Sequence, residues 1–115
     1  MGVDRSDYII YGWKLSYEMK HANGETIDFW DDKYLSMIEG RPGELFTIIR
    51  DGMMGAYVVF GIMIQKADEY EGWKFVELNF HEYNSQRPEV IEKYIEIFGK
   101  EPDNDPTILI FSHFS

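Results

Sequence analysis

The sequence predicts an α+β domain, a mainly antiparallel sheet with two helices packed on it, in the order β-α-β-β-β-α-β. Two patterns carry this expectation: period-two alternation of apolar residues in several short segments, and one apolar stripe at helical spacing near the C-terminus. Composition supports it, with 44% apolar and 17% aromatic residues, ample for a core. A chain of 115 residues is the size of one ordinary domain, and no linker, repeat or low-complexity tract divides residues 1–115.

The first strand is expected at Asp7–Tyr17, where Ile9, Tyr11, Trp13, Leu15 and Tyr17 alternate with Gly12, Lys14 and Ser16, as in a half-buried strand. His21-Ala22-Asn23-Gly24 reads as a turn. A short helix follows from Phe29 to Glu39. Asp28 suits its N-cap, Asp31 and Asp32 suit the positive end of its dipole, and Trp30, Tyr34, Met37 and Ile38 form one face. Gly40 and Pro42 end it.

Three strands come next. Glu44–Arg50 is rich in β-formers, and Asp51-Gly52-Met53-Met54-Gly55 reads as a hairpin loop. Ala56–Gln65 is continuous and apolar, the signature of a central strand. After an acidic turn at Ala67–Glu71, Gly72–Phe80 alternates, with Val76, Leu78 and Phe80 on one face and Trp73 and Phe75 on the other. The second helix opens at Pro88 and is capped by Gly99, with Ile91, Tyr94, Ile95 and Phe98 spaced i, i+3, i+4, i+7. Glu101–Pro106 is a turn and Thr107–Phe111 the last strand.

Charge excludes several functions. Asp and Glu number 21 against 11 Lys and Arg, a net charge of −10. Nucleic-acid binding depends on cations that replace counterions, so direct binding to DNA or RNA is not expected. A basic protein partner is attracted by the same field. An anionic membrane surface is repelled. The longest apolar run, Ala56–Ile64, falls far short of the roughly 20 residues that span a bilayer. Met1–Ser6 lacks the apolar stretch of a secretory signal, and its match to the loose myristoylation pattern reads as chance. Cysteine is absent, which excludes disulfides and thiol catalysis and fits a reducing, cytoplasmic setting.

No segment has the pattern of a catalytic or metal site, and neither catalysis nor a cofactor is expected. His21, His81 and His113 stand at no metal-binding spacing and read as surface or sheet-edge residues. His113-Phe114-Ser115 matches half of the paired motif of two-histidine phosphodiesterases, but no second half exists. Asp103-Asn104-Asp105 opens like a calcium loop and lacks the closing glycine and glutamate. Gly52-Met53-Met54-Gly55 lacks the Lys-Ser/Thr of a phosphate loop. Met53 and Met54 are either an adaptable apolar anchor or core.

The acidic residues of the second helix are the strongest candidates. Glu89, Glu92 and Glu96 lie at i, i+3, i+7 and form a row, with Lys93 placed to pair with Glu89. Glu92 and Glu96 repel each other mildly at i, i+4, a cost that admits a functional motive. Further acids flank the strands: Asp68, Glu69 and Glu71; Glu82; and Glu101, Asp103 and Asp105. A solvated face explains such charges equally simply.

With the segments Asp7-Tyr8-Ile9-Ile10-Tyr11-Gly12-Trp13, Asp51-Gly52-Met53-Met54-Gly55 and Ile108-Leu109-Ile110-Phe111-Ser112-His113, the chain resembles in type the small acidic accessory proteins of bacteriophages. The resemblance rests on size, acidity and aromatic content. It implies a non-enzymatic inhibitor that occupies a basic nucleic-acid-binding host protein by DNA-like charge mimicry, in the host cytoplasm. The expected contact residues are Glu89, Glu92, Glu96, Asp103 and Asp105, with Asp68, Glu69 and Glu71 beside them. Two other readings stand. One is a binder of small molecules or nucleotide derivatives, possibly an enzyme, with Tyr11, Trp13, Trp73 and Phe75 lining a pocket. The other is a homo-oligomer joined through a strand edge.

Overall fold

The computed structural model describes residues 5–31, 33–34, 46–51, 57–68 and 77–114, and for residues 68, 80 and 114 the backbone only. Among the described residues four strands, β1 (Arg5–Leu15), β2 (Phe46–Arg50), β3 (Val58–Asp68) and β4 (Thr107–Phe114), form one sheet in the order β2-β3-β1-β4. Every pairing is antiparallel. Two helices, α1 (Phe80–Ser85) and α2 (Arg87–Phe98), connect β3 to β4. The α+β class with an antiparallel sheet and two helices is therefore the one the sequence predicts.

The apolar run expected as a central strand is one: β3 lies between β2 and β1. The other interior strand, β1, is more buried than its alternation suggests. Asp7 to Trp13 are all buried. Tyr11 and Trp13 face the helices and pack with Ile48, Phe60, Ile62, Val90, Tyr94 and Phe98. Tyr8 and Ile10 join Ile49 and Val59 in a second cluster. The alternation with small or polar residues holds only from Gly12 onward, where β1 approaches the end of the sheet. Pairing slips once, from Ile9 opposite Gln65 to Ile10 opposite Met63, so Ile64 is the extra residue of a bulge.

Gly12 and Gly61 face each other across β1 and β3. A Cβ on Gly12 would lie 2.0 Å from the Phe60 carbonyl oxygen and 2.6 Å from the Gly61 Cα. A Cβ on Gly61 would lie 2.3 Å from the Tyr11 carbonyl oxygen. The two backbones touch here because neither residue carries a side chain.

Helix α2 forms as its sequence dictates. Pro88 occupies the first turn, and Gly99 takes a left-handed φ of 74° while its N–H donates to the Ile95 carbonyl at 2.8 Å. Its buried stripe differs from the expected one. Val90, Tyr94 and Phe98, at i, i+4, i+8, are buried, whereas Ile95 is 37% exposed. The aromatics decide the rotation: Tyr94 and Phe98 pack at 4.7 Å, Trp13 lies 4.8 Å from Tyr94, and Phe60 lies 5.4 Å from Phe98.

Two expected elements change. Of the strand placed at 72–80, residues 72–76 lie outside the described residues, 77–79 are irregular, and Phe80 begins α1. Asn79 accounts for this, because its side chain accepts the N–H groups of His81 at 3.0 Å and Glu82 at 3.2 Å. Of the helix placed at 29–39, residues 32 and 35–39 lie outside the described residues. The rest is a turn at 29–30 followed by a 3-10 turn at 33–34, in which the Asp31 N–H donates to the Asp28 carbonyl and the Tyr34 N–H to the Asp31 carbonyl. Asp28 does cap, accepting the Trp30 N–H at 3.0 Å. Phe29 and Tyr34 enter the core, while Trp30 lies exposed over Arg50, 4.0 Å from the guanidinium carbon. Short-range bonding by the aspartates competes with helix here. The turn at 21–24 forms as expected, with Gly24 at φ 89°. The loop at 52–55, with Met53 and Met54, lies outside the described residues.

Candidate functional site

Excess negative charge gathers where helices replace strands. Residues 77–105 contain eight Asp and Glu against three Lys and Arg, a net −5, half of the −10 of the chain in about a quarter of its length. Within α2, burial of Val90, Tyr94 and Phe98 turns Glu92 and Glu96 to the opposite side, with Glu89 beside them. All three are exposed. The partly exposed Ile95 adjoins this row and leaves an apolar spot at its margin. Glu101, Asp103 and Asp105 are likewise exposed, on the loop after α2.

Two internal cations reduce the field. Lys93 Nζ lies 3.6 Å from Glu96, one turn forward, and so pairs with Glu96 where the sequence had suggested Glu89. Arg87 Nη2 donates to Asp105 Oδ1 at 2.5 Å, which raises the guanidinium pKa further. Nothing local in the sequence signals this pair, since 18 positions separate its members. Both pairs are exposed and contribute little to stability. Glu89, Glu92, Glu101 and Asp103 make no ion pair among the described residues. Glu101, Asp103 and Asp105 border a surface hollow of about 520 Å³, together with Arg87, Ile91, Pro102 and Asn104. Of the flanking acids, the Asp68 side chain, Glu69 and Glu71 lie outside the described residues, and the 101–105 loop meets α2 at Arg87 and Ile91, beside the helix face that carries the row rather than on it.

The loop is held from below. Trp13 Nε1 donates to the Asn104 carbonyl at 2.8 Å, which ties it to the buried end of β1. Beside this contact is a second hollow, of about 400 Å³, between the end of β1, the 16–20 turn and the same loop. Trp13, Met19 and Tyr94 line it, with Lys14, Lys20, Lys100, Glu18 and Asp103. Burial, and secondarily the Asp103 charge, pushes the Tyr94 phenol up to about 12.

The aromatic pocket expected at Tyr11, Trp13, Trp73 and Phe75 takes another form. Tyr11 and Trp13 belong to the core, Trp13 stacking on Phe60 at 6.1 Å, and Trp73 and Phe75 lie outside the described residues. The histidines occupy three different settings. His81 is exposed on α1 and His21 half-buried in its turn, but His113 is buried on β4, with Nδ1 2.9 Å from the Tyr57 hydroxyl. Beside it in the chain, Ser112 Oγ donates to the buried Asp7 carboxylate at 2.6 Å. Among the described residues no group of three or more His, Cys, Asp or Glu is placed to hold a metal ion. No described helix is long and apolar enough to cross a membrane.

No protein-family model matches the sequence, and no curated protein or solved structure is significantly similar to it. Function therefore has to be argued from charge, exposure and geometry.

Proposed function

We propose that this chain is a non-enzymatic binding protein. Its acidic helical layer engages a basic, nucleic-acid-binding protein, and carboxylates stand in for backbone phosphates. One observation carries the reading. Half of the net charge lies in residues 77–105, with Glu89, Glu92 and Glu96 on the outward side of α2 and Glu101, Asp103 and Asp105 on the following loop.

The physics of the contact follows from the groups present. Glutamates on a helix are fixed at their stems and mobile at their tips, so they adapt to lysines and arginines spaced for a nucleic acid. Long-range attraction raises the rate of encounter, and salt weakens it. Ile95 beside the row supplies apolar area that phosphate lacks, a source of preference for this chain over DNA once the charges have met. The Arg87–Asp105 and Lys93–Glu96 pairs orient two of the carboxylates and remain open to exchange with a partner's cations.

The test uses a purified basic DNA-packaging protein bound to fluorescent duplex DNA. Adding the chain should release the DNA, and the chain's own dissociation constant for the basic protein, measured without DNA, should rise roughly tenfold or more between about 50 and 200 mM salt. The combined variant Glu89→Lys, Glu92→Lys and Glu96→Lys should lose this competition while keeping its circular dichroism spectrum, because all three side chains are exposed. Undiminished competition by the variant removes the row from the site, and failure of the native chain to compete at low salt ends the proposal.

A further inference from the structure

The described cations fall into two sets. Arg5 pairs with Asp7, Arg87 with Asp105 and Lys93 with Glu96. Lys33 lies over the Tyr34 ring, Lys66 over Tyr8 and Arg50 over Trp30. The side chains of Lys14, Lys20 and Lys100 have no ion pair, hydrogen bond or ring contact among the described residues. Lys20 and Lys100, 80 positions apart in sequence, line the hollow of about 400 Å³ beside Trp13, and Lys14 borders it as the neighbour of Trp13 on β1, with its side chain on the opposite face of the sheet beside Tyr57 and Val59. Glu18 and Asp103 also line it, and neither lies within ion-pair distance of a lysine. The side chains on the Trp13 side thus carry two positive and two negative charges, a local balance in a chain of −10.

We infer that this hollow binds a small ligand through a phosphoryl group. Its volume falls within the range of small-molecule sites. Lysine ammoniums act as point charges that suit a tetrahedral dianion, whereas planar carboxylates are matched best by the fork of an arginine, and no arginine lines the hollow. Neutral donors are present as well. Ser16 Oγ already accepts the Glu18 N–H at 3.0 Å, which leaves its own proton to donate. The Tyr94 hydroxyl, on a buried residue, donates to Met19 Sδ at 3.8 Å. A thioether is a weak acceptor, so an oxyanion displaces it at little cost. Repulsion from the more distant carboxylates is screened over about 8 Å at physiological salt, so the two unpaired lysines act at short range. Lys14 also lines an apolar hollow with Tyr57, Val59 and Leu109, so Lys20 and Lys100 carry the larger share of the contact.

This inference is independent of the acidic row. The test is titration of the full chain with pyrophosphate, inorganic phosphate and succinate at constant ionic strength, followed by 1H–15N spectra. Pyrophosphate should cause saturable shifts at the Trp13 indole N–H and at backbone amides of residues 14–20 and 100–104. It should bind more tightly than inorganic phosphate or succinate. Lys20→Gln and Lys100→Gln should each weaken it by about tenfold, and Lys14→Gln by less. The triple lysine variant of α2 should bind it as the native chain does, which separates the two sites. Shifts that do not saturate, or that persist unchanged in Lys20→Gln and Lys100→Gln, overturn the site. Tighter binding of succinate overturns the assignment to a phosphoryl group.

Discussion

The 101–105 loop separates two hollows of different charge. On the α2 side, Glu101, Asp103 and Asp105 outnumber Arg87. On the β1 side, Lys20 and Lys100 match Glu18 and Asp103 in number. Pro102, Asp103 and Asn104 border both. The attachments of the loop differ as well. Asn104 hangs on the buried Trp13 indole, whereas Asp105 is tethered only by an exposed ion pair. Net charge therefore does not describe the surface: a chain of −10 contains a region where lysines balance carboxylates, beside a loop held by the buried Trp13 indole.

The sharpest way to break the contrast is to displace the strand that carries Trp13. Gly12→Ala puts a Cβ 2.0 Å from the Phe60 carbonyl oxygen, within the backbone of an interior strand that has no room to yield. We expect a loss of more than about 3 kcal/mol in urea unfolding, and loss of both binding properties together. A Gly12→Ala variant of native stability contradicts the close approach of β1 and β3.

Trp13→Phe acts on the loop alone. It keeps an aromatic against Phe60 and Tyr94 and removes the donor to the Asn104 carbonyl. A loss of about 1–2 kcal/mol is expected from the lost hydrogen bond and the smaller ring. The amide resonances of residues 103–105 should move most, and pyrophosphate affinity should fall while competition with DNA persists. Equal loss of both functions shows that the loop acts as one site rather than two.

The smallest effect concerns Tyr94. Its phenol pKa is raised from 10.0 to about 12, chiefly by burial. The folded state holds this proton more tightly than the unfolded chain, so the stabilisation is whole below pH 10.0 and is lost as pH rises towards about 12. Tyr94→Phe should leave stability near pH 7 almost unchanged and flatten its decline across that alkaline window. Tyr11 and Tyr17, also raised by burial, keep part of the slope. An identical alkaline profile in the variant assigns the slope to other groups.

Local rules carried the reading of some elements and misled others for identifiable reasons. Pro88 and Gly99 bracket α2 correctly because both act within one turn of backbone. The helix expected from Phe29 fails over its described part because Asp28 and Asp31 bond their own neighbours. α1 was legible in principle: Asn79 followed three residues later by Glu82 is an N-terminal signature, masked by the alternating apolar residues before it. The α2 row was visible from helical spacing alone. The hollow that Lys20 and Lys100 line was not, since no sequence pattern links residues 80 positions apart.

By itself the sequence determined the α+β class, the interior position of β3, the ends of α2 and the exposure of Glu89, Glu92 and Glu96. Each follows from periodicity or from a cap, and so from neighbours along the chain. Tertiary structure decided which residues of α2 are buried, why Gly12 must face Gly61, and which charges share a hollow. These depend on strand pairing and on the Trp13–Tyr94–Phe98 packing, contacts between distant segments that no local pattern encodes.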